Sequence, residues 1–166
     1  MIEGPGWCMV ENPKTASTAM RAVLTSGHPR GGRHVALWGR EDPIRAIFVR
    51  NPFDRMVSAY YYKQANLRRS FLEWLTAEPW SVHGMDIKRT SQTVWAHRCT
   101  HVFRFESIEK EWARLLDVLE KEFKPLPVKN AAKNRPHYRD LICDKGREII
   151  EDRFRPDFDK WGYKWQ

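Results

Sequence analysis

Residues 44–63 read IRAIFVRNPFDRMVSAYYYK, and the pattern changes once, between Arg50 and Asn51. Before that point IRAIFV (44–49) is a short, mostly apolar run of the kind a strand buried on both faces requires. After it, Asn51 offers a capping side chain, Pro52 stands at the first helical position and Asp54 puts an acid in the first turn. Phe53, Met56, Val57, Tyr60 and Tyr61 follow at helical spacing, which predicts a helix to about Asn66. A buried strand feeding straight into a helix is the unit from which α/β sheets with parallel strands are built. In such sheets ligands bind at the carboxyl ends of the strands, where loops lead into helices.

A second unit of the same kind lies upstream. GWCMVE (6–11) reads as a short buried strand, NPKTAST as a tight polar connection, and Ser17 to Ser26 as a helix. A helix start leaves backbone N–H groups unpaired, and its dipole favours an anion, so this junction has the makings of a phosphate cradle. The small Ala16 and Ser17 permit close approach, Thr15, Ser17 and Thr18 add hydroxyls, and Lys14 brings a movable positive charge. The order differs from a nucleoside-triphosphatase loop: the lysine comes first and there is no glycine. At the 44–63 junction, Arg50 supplies a fork of donors suited to phosphate. Ser58 follows about 12 Å further along at helical rise.

Outward from these junctions the signals are coarser. HPRGGR (28–33) reads as a loop, HVALW (34–38) as a strand or strand edge, 70–76 as a short helix and 79–93 as irregular. HVFRFE (101–106) alternates like a strand, and 108–122 is an amphipathic helix with Trp112, Leu115, Leu116, Leu119 and Phe123 on one face. KPLPVKNAAKNRPHYRD (124–140) is a basic, proline-punctuated loop. A last helix is predicted from Asp140 to Phe154, broken by Pro156, before a terminal turn with Phe158, Trp161 and Tyr163. One domain spanning 1–166 is the expectation from this length.

Composition narrows the function. With 42% hydrophobic residues among 166, the chain has too much apolar mass for a disordered tail. No run of residues is long and apolar enough to span a bilayer, and the start lacks signal-peptide character, so a cytoplasmic protein or an excised catalytic domain is expected. The three cysteines, Cys8, Cys99 and Cys143, fit neither a disulfide framework nor a zinc pattern, and no metal is expected. A net charge of +8 calls for an anionic partner: nucleic acid, an acidic glycan or a multiply phosphorylated nucleotide.

Taken together, PKTAST and VRNPFDRMVSAYYY resemble the two nucleotide motifs of the sulfotransferases that use 3′-phosphoadenosine 5′-phosphosulfate (PAPS). The likeness is nearest to the carbohydrate branch containing the heparan sulfate and uronyl 2-O-sulfotransferases. Weaker likenesses lie in VFRFESIEKEWARLLDVL, in Ser91-Gln92 and in the closing DFDKWGY, so that the resemblance covers most of residues 7–163. It implies an α/β fold of three layers, α/β/α, around a mainly parallel sheet related to nucleotide kinases. It implies that Lys14, Thr15, Ala16, Ser17 and Thr18 hold the 5′-phosphosulfate and that Arg50 and Ser58 hold the 3′-phosphate. His34-Val35 is similar to the His-Val of the 2-O branch, which makes His34 the expected base, with Glu41 or Asp42 as the alternative. The basic loop 129–139 looks like the segment that closes over the nucleotide, with Lys133 and Arg135 the residues singled out in it. The chain is shorter than full carbohydrate sulfotransferases, so the acceptor is not inherited from them.

The implied chemistry is an in-line displacement at sulfur that leaves 3′-phosphoadenosine 5′-phosphate (PAP). A histidine near neutral pKa suits the acceptor proton, and Lys14 suits the charge growing on the leaving oxygen. The expected partners are the donor nucleotide and a hydroxyl-bearing acceptor, with an acidic glycan among the candidates and no nucleic acid. Two rivals stand beside this expectation. A nucleotide-dependent kinase would want a Lys-Ser/Thr pair after glycines and acids for Mg²⁺. A non-enzymatic binder of acidic polymer would rest on the charge and the eight tryptophans, which are scattered rather than striped.

Overall fold

The computed structural model describes residues 1–25, 41–62, 68–77, 79, 81–82, 85–127 and 135–166. They form two compact units, Met1–Arg50 with Val94–Lys129 and Asn51–Thr93 with Asn130–Gln166.

The first unit is built on a four-stranded sheet in the order β1-β2-β3-β6. Its strands are β1 (Ile2–Gly4), β2 (Trp7–Val10), β3 (Ile44–Val49) and β6 (His101–Arg104). β2, β3 and β6 run parallel, with Met9 beside Ala46 and Phe48 beside Phe103. β1 is antiparallel to β2 and escaped the sequence pattern because it is only three residues long. Its reversal turns on Gly6 at φ 73, a backbone state that costs glycine nothing. The alternation of the strands sorts Trp7, Met9, Ala46, Phe48 and Phe103 into one apolar cluster. Met20 of helix α1 (Ser17–Leu24) and Trp112, Leu115 and Leu116 of α5 (Ile108–Val118) pack into the same cluster. Cys8, Val10, Ile47 and Val49, pointing the other way, are buried too. This is a mixed α/β architecture with a mainly parallel sheet, as the strand-into-helix pattern required.

The second unit is helical. It holds α2 (Pro52–Tyr60), α3 (Phe71–Thr76), α6 (Tyr138–Leu141), α7 (Asp144–Arg153) and α8 (Arg155–Trp161). Phe53 is its hub: fully buried, it lies 5.6 Å from Tyr138, 5.1 Å from Phe158 and 4.8 Å from Trp165, centroid to centroid. α2 stops at Tyr60, six residues before the position its periodicity suggests, because the Tyr62 N–H closes a tighter turn on the Ala59 carbonyl. The stretch expected to be irregular contains a small hairpin, β4 (Ser81–Val82) with β5 (Met85–Asp86), and then α4 (Gln92–Trp95), which straddles the boundary between the units. The preceding helix ends at Arg153, ahead of Pro156 as expected, and Pro156 then sits in the first turn of a further helix, α8, where its missing N–H has no intrahelical partner to lose. α8 closes on Gly162 in the left-handed conformation, whose N–H reaches the Phe158 carbonyl at 2.8 Å. The expected strand over residues 34–38 lies outside the described residues. No described helix is long and apolar enough to cross a membrane.

Candidate active site

The connection from β2 to α1 is a loop whose shape is held from outside. Lys14 and Ala16 both have positive φ, at 70° and 60°, with Thr15 between them on the ordinary side. A backbone that alternates in this way turns successive N–H groups into one concavity, which is an anion-binding arrangement. The N–H groups of Thr15, Ala16, Ser17 and Thr18 donate to no other described residue. Three contacts fix the loop. The buried Asn12 side chain donates to the Phe48 carbonyl at 2.9 Å, tying the loop to the end of β3. The Thr15 hydroxyl donates to the Asn12 carbonyl at 2.8 Å. Arg50 Nη1 donates to the Lys14 carbonyl at 2.9 Å. Thr15, 1% exposed, is therefore a staple within the loop, its hydroxyl spent on the Asn12 carbonyl.

Arg50 follows the last residue of β3 and is 5% exposed. Its Cζ lies 4.0 Å from the centroid of the Phe105 ring, a face contact between a cation and an aromatic ring. It is thus no surface charge: it joins the carboxyl end of β3 to the loop that follows β2. Lys14 and Ala16 are half-buried and Thr18 is exposed. A second buried contact flanks the loop in sequence, Arg21 of α1 paired with Glu11. Burial pushes the Glu11 carboxyl up, but hydrogen bonds from Arg21 and from the Met1 amino group outweigh it and leave Glu11 below the usual carboxylate value.

In the second unit, Ser58 is half-buried on α2. Arg55, three residues earlier, is fully buried, and its Nη1 donates to the Thr90 carbonyl at 3.2 Å. Burial pushes its guanidinium down to about 10, against the opposing pull of the Asp157 charge. Asp157 is also fully buried and collects four donors. These are the Ser91 hydroxyl, the Gln92 N–H at 2.9 Å, the Gln92 side-chain amide at 3.2 Å and the Thr93 N–H at 3.0 Å. The Ser91-Gln92 pair and the first residue of DFDKWGY, two separate weak likenesses in the sequence, therefore meet in one buried cluster. Arg135 pairs with Asp54, Nη1 to Oδ1 at 2.8 Å, and also donates to the Asp54 carbonyl at 3.2 Å.

His34 and Lys133 lie outside the described residues, as do His28 and His83. Of the remaining histidines, His137 Nδ1 accepts from the Arg139 N–H at 3.4 Å and caps α6, and His101 Nδ1 lies 2.9 Å from the Thr100 hydroxyl. Glu41 is exposed and Asp42 half-buried. Among the described residues no three His, Cys, Asp or Glu side chains gather into a group that could hold a metal ion.

A family model described as the sulfotransferase family matches residues 36–164, well over half of the chain. The chain belongs to the sulfotransferase family. It is a transferase of sulfate, and the match runs through residues of both units, taking in Arg50, Arg55, Ser58, Arg135 and Asp157. The loop at 12–18 lies upstream of the matched segment, so its place in this sulfotransferase rests on its own geometry. No curated protein and no solved structure matches the chain.

Two features of this sulfotransferase escaped the sequence. Asn12 reads there as one more polar residue before a helix, yet it is the clamp between two strand ends. Phe105 reads as the apolar half of a strand alternation, yet the strand stops at Arg104 and the ring lies against Arg50.

Proposed function

We propose that this sulfotransferase takes its sulfuryl group from PAPS, with the 5′-phosphosulfate on the loop at 14–18 and the 3′-phosphate on Arg50 and Ser58. The observation that carries the proposal is the loop itself: left-handed Lys14 and Ala16, four N–H groups donating to no described residue, and a carbonyl tied to the arginine of the second motif. The residues fit a doubly anionic nucleotide. Backbone N–H groups at the start of α1, the hydroxyls of Ser17 and Thr18 and the ammonium of Lys14 are all donors. Ser58 belongs to the second unit and enters on its place in the motif. Lys133 and Arg135 complete the proposed nucleotide set, Arg135 with its charge already balanced by Asp54. The single domain over 1–166, its three layers and its kinase-like ancestry belong to the same proposal, supported by a family match that runs through both units.

The donor supplies the activated S–O bond. The new bond forms between the acceptor oxygen and sulfur, the bond from sulfur to the 5′-phosphate oxygen breaks, and the acceptor proton passes to a base. His34 is proposed as that base, and Lys14, with the loop N–H groups, as the stabiliser of charge on the leaving oxygen. The acceptor is proposed to be a hydroxyl of an acidic glycan, which the net charge of +8 favours. The cytoplasm is the proposed compartment.

Thermal unfolding with PAP, without Mg²⁺, tests the donor. At a hundred times its dissociation constant PAP should stabilise by about 2.7 kcal/mol, a rise of several degrees. ATP, with or without Mg²⁺, should raise the midpoint far less. An equal or larger response to Mg·ATP would overturn the proposal in favour of a kinase. For the base, His34→Ala should abolish turnover while leaving PAP affinity intact; retained turnover would remove His34 from that role.

A further inference from the structure

We propose that Phe105 is a positioning residue of the donor site, acting through Arg50 on the backbone of Lys14; the role in catalysis rests on the donor assignment above. Three observations in the first unit line up. The Phe105 ring faces the Arg50 guanidinium at 4.0 Å. That guanidinium donates to the Lys14 carbonyl at 2.9 Å. Lys14 holds φ at 70°, where a residue with a β-carbon is disfavoured by roughly 1–2 kcal/mol relative to its ordinary conformations.

A strained residue keeps its conformation only when its surroundings over-determine it. Within the loop there is no glycine to make the left-handed state cheap, so contacts must hold it, and the one on the Lys14 carbonyl comes from outside the loop. An arginine could reach the Lys14 carbonyl from several rotamers; a flat surface against which the planar guanidinium can lie favours one of them. Phe105 is that surface. Its position supports this role over a packing role. The apolar cluster of the unit takes Phe103 from the same segment and leaves Phe105 out. Phe105 is half-buried at the start of a 3-10 turn, Phe105–Ser107, immediately after β6. Because Arg50 is 95% buried from solvent by its 5% exposure, the contact between ring and cation is largely shielded from water, where such contacts are strongest.

The test compares wild type with Phe105→Leu, which keeps apolar bulk, and Phe105→Tyr, which keeps the ring. The first measurement, made without nucleotide, is the backbone Cα and Cβ chemical shifts of Lys14 and Ala16, which report the left-handed state. The second is calorimetric titration with PAP. Phe105→Leu should move the Lys14 shifts toward ordinary extended values and weaken PAP roughly tenfold. Phe105→Tyr should keep the wild-type shifts and hold affinity within about twofold. The inference is overturned if Phe105→Leu keeps both the shifts and the affinity, or if Phe105→Tyr fails as badly as Phe105→Leu. Wild-type protein that ignores PAP, with Lys14 shifts that still follow the ring, would remove the donor assignment and leave the positioning role standing.

Discussion

Replacing Asp157 by alanine should cost this protein a large part of its stability. The carboxylate is 0% exposed and serves the Ser91 hydroxyl, the N–H groups of Gln92 and Thr93 and the Gln92 side-chain amide. A buried donor left without its acceptor costs about 1–3 kcal/mol. The four donors share one cluster, so their losses do not add in full. The substitution also removes the charge that offsets the burial of Arg55, a residue at 0% exposure. Stripping the partner from a buried charge costs about 3–5 kcal/mol on its own. Together these place the loss at about 4 kcal/mol or more, against a total of about 5–15 kcal/mol for an ordinary domain. Urea unfolding followed by tryptophan fluorescence measures it as a lower midpoint at unchanged slope. Arg55→Met should cost less than Asp157→Ala, because it leaves all four hydrogen bonds in place. A loss below about 1 kcal/mol for Asp157→Ala, at wild-type slope, would refute the reasoning.

Three further outcomes follow from the loop and its supports. Arg50→Ala should weaken both PAP and AMP through the loop it holds at Lys14, and PAP by a further roughly ten- to a hundredfold in calorimetry, the range of one charge-assisted hydrogen bond; equal losses for both would take Arg50 away from the 3′-phosphate. Glu11 has its folded pKa below the usual 4.5, so as pH falls the unfolded chain takes up the proton first; its contribution is complete above about 4.5 and disappears as pH drops through the folded value. Glu11→Gln should therefore flatten the acid limb of the stability profile below that pH, and an unchanged limb would contradict the pairing with Arg21. Ala16→Gly removes a left-handed penalty of roughly 1–2 kcal/mol at φ 60 and adds about 0.5–1 kcal/mol of chain entropy. The variant should be at least as stable as wild type by thermal unfolding, and a clear loss would mean that Ala16 is not strained.

What the sequence revealed depended on the length over which a pattern could repeat. β3 was legible to the residue because a run of six has apolar neighbours on both faces, α1 was legible from its end signals, and α2 and α5 from their spacing. β1 and the β4–β5 hairpin are too short to have a period. The stop before Pro156 was legible, but a proline that ends one helix can also begin the next, and the terminal turn expected after it is the helix α8. In the site, the two strand-to-helix junctions were visible, whereas the links that make them one structure were not. Asn12 to Phe48 spans 36 residues and Arg50 to Lys14 another 36. Asp157 to Ser91 spans 66, and no local window contains both ends of such a contact.

A loop that holds two left-handed residues without glycine stores its shape in its neighbours. Substitutions inside residues 14–18 would mostly erase affinity, whereas graded changes in nucleotide preference should come from Asn12, Arg50 and Phe105, which set the angle at which the loop is offered. An engineer wishing to retune this enzyme would begin with the frame and leave the cradle alone.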